Sequence, residues 1–274
     1  MKRNIIFGII FLLGLCIFLY PTVSNWLATR AHYSAVSSYD KKVKELQQKE
    51  IERRGKEANE HNKNVQTTSQ SFSDPFNKKG SEESEHSYAD ILNVGESMGY
   101  IEIPTIDVKL PIYAGTSENV LSRGVGHIKA SSLPVGGQST HAILTGHRGL
   151  PSALLFTDLD QVKQGDTFYI HSLNKVLAYK VDQIKVVLPN EINDLLVVKD
   201  KDYVTLVTCT PYGVNTHRLL VRGERVPFEL KEKEIINKST SPLLGKQMIG
   251  VLIIVVIILI LIYRRWRKNS KEVL

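Results

Sequence analysis

Hydrophobic and polar positions divide the chain into stretches of different character. Ile5 to Tyr20 (IIFGIIFLLGLCIFLY) and Met248 to Tyr263 (MIGVLIIVVIILILIY) are uncharged apolar runs. Each is slightly short of the ~20 residues that cross a bilayer. The first extends through Pro21 to Trp26, and the second reaches back to Leu243 if Lys246 snorkels. Between His32 and about Lys63 the chain is charged, and Val36, Tyr39, Val43, Leu46 and Ile51 recur at roughly helical spacing. This predicts one or two amphipathic helices with Gly55 as a weak point; the apolar seam is too short for a coiled coil. Val65 to Glu85 is rich in Ser, Thr, Asn and Lys, a composition that builds no core. It reads as a long loop interrupted by Asp74-Pro75-Phe76.

From Gly99 the pattern changes to alternation. YIEIPTIDVKLPIY reads as two short strands broken by Pro104 and Asp107. HAILTGH, DTFYIHS, VLAYKVDQIKVVLP, YVTLVTC and HRLLVRGERV are further strand-like runs, with Gly, Asn, Asp or Pro between many of them. Helix is expected only at Asn119 to Leu121 and as a short segment at Ser152 to Asp158. About seven or eight short strands predict a mostly β fold, a closed or nearly closed β-barrel, with enough chain for one substantial core. The predicted organisation is a cytoplasmic start and apolar segment over 1–26, a helical arm over 27–64, a loop and linker over 65–98, and the β-barrel over 99–228. A linker over 229–247, a second transmembrane helix over 248–263 and a basic tail over 264–274 follow.

Charge then fixes an orientation. Lys2 and Arg3 precede the first apolar run, and Arg264, Arg265, Arg267 and Lys268 follow the second. The positive-inside rule puts both ends in the cytoplasm and the central part outside the cell membrane. The alternative for the first run is a cleaved signal peptide, with Thr22-Val23-Ser24 as a poor cleavage site. The formal net charge of +7 is carried mostly by these tails, so the basic balance reports topology rather than a nucleic-acid partner. The chain has two cysteines. Cys16 is an apolar residue of the first run, which leaves Cys209 alone in a compartment that permits disulfides. A lone external thiol is either buried and inert or used.

Cys209 ends a strand of buried-type residues and is followed by the turn chemistry of Thr210-Pro211-Tyr212-Gly213. His147 ends the HAILTGH strand before a Gly-rich turn, and Arg218 opens the strand after the Cys209 loop. Thiol acyl transfer needs these residue types: a thiolate nucleophile, an imidazole acid and base, and a permanent cation for a developing oxyanion. Taken singly, each has a plainer reading. A lone Cys is most often a small buried hydrophobe, and His127, His141, His171 and His217 can each be structural. His217 adjoins Arg218 and competes with His147 as the base. A zinc site from Cys209, His147 and His217 is chemically conceivable but lacks ligand spacing.

Thr205-Leu206-Val207-Thr208-Cys209 resembles the TLxTC signature of sortases, with His147 in LTGHRG and Arg218 at the family's histidine and arginine positions. The likeness covers about Gly99 to Pro227. Two apolar termini, the long N-terminal extension and Asp74-Pro75-Phe76 resemble more narrowly the class C, pilus-assembling sortases of Gram-positive bacteria. The resemblance implies a sortase-type barrel and a cysteine transpeptidase that needs no cofactor or metal. Cys209 would attack an LPXTG-like sorting signal, His147 would transfer protons, and Arg218 would hold the substrate and its oxyanion. Thr208, beside the nucleophile, is assigned to substrate binding. Asp74, Pro75 and Phe76 would form a lid, with Asp74 near Arg218 and the ring of Phe76 against Cys209. Partners would be pilin or surface-protein substrates and the membrane, and a lysine amine of another pilin would resolve the acyl-enzyme. Two alternatives remain: a sortase that attaches proteins to peptidoglycan, and a non-enzymatic membrane scaffold.

Overall fold

The computed structural model of the protein describes residues 2–67, 74–76 and 86–228. The second apolar run, its linker and the basic tail lie outside these residues, as do the segments flanking Asp74-Pro75-Phe76. Helix α1 (Lys2–Glu45) runs unbroken through Pro21, and α2 (Gln48–Thr67) follows after a short break. The interruption falls at Leu46 and Gln47, not at the expected Gly55. Gly55 sits inside α2 with open space where a side chain would be, so it costs the helix only intrinsic propensity, about 1 kcal/mol. From Ile10 to Tyr20 α1 is apolar and largely outward-facing, with Ile17 75% and Phe18 79% exposed, and Ile10–Glu45 is long and apolar enough to cross a membrane.

The arm docks through the other half of α1. Val36, Tyr39 and Val43 pack with Ala58 of α2, Leu92 of α3 (His86–Leu92), and Met98, Tyr100 and Leu133 of the domain below. Two buried polar side chains fix the fit. Tyr39 donates its hydroxyl to Met98 O at 3.2 Å and accepts from Leu173 N–H at 2.7 Å. Asn62 accepts the Leu133 N–H at 2.7 Å and donates to the same residue's carbonyl at 3.1 Å. Each such pairing spares a buried backbone group the cost of going unsatisfied.

The domain is an eight-stranded closed barrel: β1 (Gly99–Ile103), β2 (Val108–Ala114), β3 (Val125–His127), β4 (Thr140–Thr145), β5 (Thr167–Ser172), β6 (Lys175–Val187), β7 (Asp202–Thr210) and β8 (His217–Val226), in the order β1-β2-β3-β4-β7-β8-β6-β5. Pairing of β1 with β5 closes it. Pro104 and Asp107 break β1 from β2 as expected: Pro104 opens a single 3-10 turn, and Asp107 ends it in the left-handed region at φ 50°, which a short polar side chain tolerates. The three-residue β3 carries too little alternation to be read from sequence. Ser152 to Asp158 is not helical: Leu155 takes φ 43°, and this irregular path lets Ala153, Leu155, Phe156 and Leu159 plug the barrel core beside Ile101, Leu144, Phe168 and Leu206.

Candidate functional site

The site is built on three neighbouring strands. Parallel pairing of β4 with β7 sets Thr145 level with Val207. The Gly146 N–H continues that ladder to Val207 O at 3.1 Å, which brings His147 towards the level of Cys209. Antiparallel pairing of β7 with β8 sets Cys209 directly opposite Arg218. Strand alternation then sorts the side chains. Ala142, Leu144, Val204, Leu206, Leu219 and Val221 fill the barrel, while Ile143, Val207 and Leu220 face out and form a second apolar layer with Ile128, Val187 and Leu195. Cys209 and Arg218 share the outward face, at the end of that layer.

Thr208 has the opposite parity. It is fully buried, and its hydroxyl donates to Gly146 O at 2.8 Å. The expectation was a substrate contact; in this geometry the hydroxyl instead ties the nucleophile's strand to the residue before His147. Gly146 is required there by crowding, because a Cβ would lie 2.8 Å from the Phe156 ring. His217 likewise alternates away from Arg218, and its Nδ1 lies 2.9 Å from the Thr216 hydroxyl. Cys209, considered with it for zinc, therefore does not share its face.

The Asp74-Pro75-Phe76 segment lies over the site. Arg218 donates Nε–H to Asp74 Oδ1 at 2.8 Å and Nη2–H to Oδ2 at 2.6 Å, a two-point pair that a lysine cannot copy. Its Nη1 donates to the carbonyls of Asn215 and His217 at 3.0 and 2.9 Å. Phe76 packs on the outer apolar layer. Its ring lies 5.5 Å from the His147 ring, and the Arg218 guanidinium sits 5.1 Å from its centroid. The aromatic thus rests between imidazole and guanidinium, on the face that Cys209 shares with Arg218. Cys209 is buried, at 6% exposure.

Burial governs the electrostatics. The Cys209 thiol is pushed above its ordinary pKa by desolvation; Arg218 opposes this, and Asp74 reinforces it. The His147 pKa is lowered by desolvation, against an opposing pull from Glu118. Both shifts favour a neutral thiol and a neutral imidazole while the segment is closed. Glu118, first residue of α4 (Glu118–Leu121), sets Oε1 3.5 Å from His147 Nε2. That nitrogen is buried without a hydrogen-bond partner among the described residues, so the contact is one of charge and proximity.

Two residues near the trio were not anticipated. Arg148 donates to Thr157 O at 3.1 Å and to the Thr210 hydroxyl at 3.2 Å, and pairs with Asp160. It therefore ties the turn after His147 to the residue after Cys209. Glu118 is the other; its sequence distance from His147 gave no signal, whereas Arg148 adjoins His147 and its basic side chain in a turn was the available hint.

The chain is similar to known proteins. A sortase-domain family model matches residues 101–226. The chain is 47% identical to sortase C-1 from Streptococcus pneumoniae, covering 72% of this chain and 100% of that one, with a TM-score of 0.68. It is 48% identical to the pilus-related sortase C of Group B Streptococcus, covering 70% and 97%, with a TM-score of 0.67. Sortase A of Streptococcus agalactiae is 34% identical over 130 residues, and that match spans 52% of its length, about half. The chain belongs to the sortase family. Within that family, the solved structures it resembles at nearly half identity are sortases C.

Proposed function

We propose that the chain is a membrane-anchored cysteine transpeptidase that cleaves an LPXTG-like sorting signal and joins the acyl group to a lysine amine of another pilin subunit, so polymerising pili. The observation that carries this reading is the shared face of Cys209 and Arg218, with His147 brought beside them and Asp74 held on the Arg218 fork. A carboxylate there occupies the donors that would meet a substrate carbonyl, so the segment acts as a lid that must leave before substrate binds.

With the lid open, the Cys209 thiol passes its proton to the His147 imidazole, and its Sγ attacks the Thr–Gly carbonyl as thiolate. The Arg218 guanidinium stabilises the tetrahedral oxyanion. His147 protonates the departing amine, and a thioester remains on Cys209. An incoming amine gives up its proton to His147 and displaces the thiolate. Thiol, imidazole and guanidinium supply every role, so no cofactor is needed. The apolar half of α1 serves as one anchor, and the run from Met248 to Tyr263 as a second, with both termini cytoplasmic and the barrel outside. Anchoring of proteins to peptidoglycan would use the same trio; the Asp74–Arg218 pair favours the pilin reading, through the likeness to class C.

Incubation of the soluble residues 27–245 with candidate pilins tests the proposal. A covalent ladder that depends on Cys209 is expected. Transfer only to peptidoglycan stem peptides, with no ladder for any pilin, would overturn the pilin assignment.

A further inference from the structure

Two arginines described at the site, Arg218 and Arg148, each have a carboxylate. Arg218 is held by Asp74 at 2.6 Å, and Arg148 is paired with Asp160. Glu118 is a carboxylate without such a cation. Among the described residues its only charged neighbour within ion-pair distance is the His147 ring, and its side chain is 74% exposed. Its place is not accidental, because the short helix it opens is pinned by Leu121, which is 1% exposed in the core, and by the Leu121 N–H to Ser117 O bond at 2.9 Å. The result is one uncompensated negative charge, open to solvent, beside the imidazole that must take a proton from the incoming nucleophile.

A hydrogen-bonded partner that orients the imidazole would be closer and aligned. Glu118 Oε1 is 3.5 Å away, and among the described residues His147 Nε2 has no aligned hydrogen-bond partner. An accessible carboxylate at this distance is better suited to a third body that reaches both groups from the solvent side. The resolving nucleophile of pilus polymerisation is a lysine side chain, which arrives as an ammonium.

We infer that Glu118 is the acceptor-recognition carboxylate of this enzyme, holding the lysine ammonium of the incoming subunit beside His147. The inference rests on the transpeptidase reading above. The ammonium ion-pairs with Glu118 and passes one proton to the neutral His147 imidazole. The free amine attacks the thioester carbonyl, the C–N bond forms and the C–S bond breaks. The departing thiolate takes the proton from the His147 imidazolium, and the second amine proton leaves to water. One ammonium and one thioester thus become one amide, one thiol and one released proton. Burial of His147, which keeps its ring neutral, leaves Glu118 free for the cation.

Competition between two amine probes tests this. The ectodomain is given an LPXTG peptide together with either Nα-acetyl-lysine amide, cationic at pH 7, or hydroxylamine, neutral at that pH. The ratio of lysine adduct to hydroxamate is read by mass spectrometry. Glu118→Gln is expected to lower that ratio by about fivefold, the scale of an exposed ion pair. Glu118→Lys should lower it further, Glu118→Asp should recover part of it, and added salt should lower it in the wild type but not in Glu118→Gln. An unchanged ratio in Glu118→Gln would overturn the inference, whether both products fall together, as a mere support of His147 would cause, or neither does. Absence of both products from the wild type would instead overturn the transpeptidase reading, and the inference with it.

Discussion

Removing both lid anchors, Asp74→Ala with Phe76→Ala, should open the site. The closed segment is held by the Asp74–Arg218 pair, whose side chains are 15% and 10% exposed, and by Phe76 on the Ile128–Val207–Leu220 layer. A partly buried phenyl ring contributes about 1.5–2 kcal/mol. A charge-assisted two-point pair adds about 1–2 kcal/mol net of desolvation. Because the two anchors share one loop, their losses are not fully additive, and a combined shift of about 2–3 kcal/mol in the opening equilibrium is expected. At 1.4 kcal/mol per decade, Cys209 should be alkylated by a small thiol reagent roughly 30- to 150-fold faster. The pH profile separates two causes. Asp74 raises the thiol pKa and Arg218 lowers it, so Asp74→Ala alone should also move the labelling profile to lower pH. Phe76→Ala alone should act mainly through access. Labelling followed by intact-mass measurement over several pH values reads both. Unchanged labelling kinetics in the double variant would refute the lid argument.

Arg218→Lys keeps the charge but loses the fork, and should cut kcat/KM for sorting-peptide cleavage by about 10²-fold; near-normal turnover would show that a point charge suffices. Loss of the two-point pair should also speed Cys209 labelling in that variant. His217→Ala should cost far less activity than His147→Ala in the same cleavage assay, since His217 alternates away from Arg218; the reverse order would reassign the base. His127 and His141 are buried and held at about 4 against an ordinary 6.5. Between those values the unfolded chain binds the protons that the fold refuses, so their stabilisation is complete above about pH 6.5 and is lost as pH falls towards 4. Each withholds up to roughly 3 kcal/mol by pH 4, so Tm should fall from pH 7 to 4.5. His141→Gln should give a lower Tm at pH 7 but a shallower slope, and an unchanged slope would contradict the assignment.

The barrel was legible because its strands alternate and its breaks are chemical. Pro104 and Asp107 separated β1 from β2, and the trio's candidates each fell at a strand end. What escaped the sequence was information carried by register. Whether Thr208 faces substrate or core depends on parity within β7, and one residue of offset from Cys209 reverses the answer. The path from Ser152 to Asp158 is decided by how Leu155 and Phe156 reach the core, a tertiary demand that overrides local pattern. Phe76 was placed over the site from the family likeness, and what the sequence could not show is the apolar layer of Ile143, Val207 and Leu220 on which it rests between His147 and Arg218. Glu118 was invisible for the same reason: only the fold sets a short helix beside the end of β4.

The central claim is that Cys209 carries the acyl group. The most direct measurement is the intact mass of the ectodomain trapped with an LPXTG peptide and mapped by peptide digestion. The account predicts a thioester adduct on Cys209 that ends at the peptide's threonine, abolished by Cys209→Ala and prevented by His147→Ala. An adduct on another residue, or sorting-signal cleavage retained in Cys209→Ala, would contradict it.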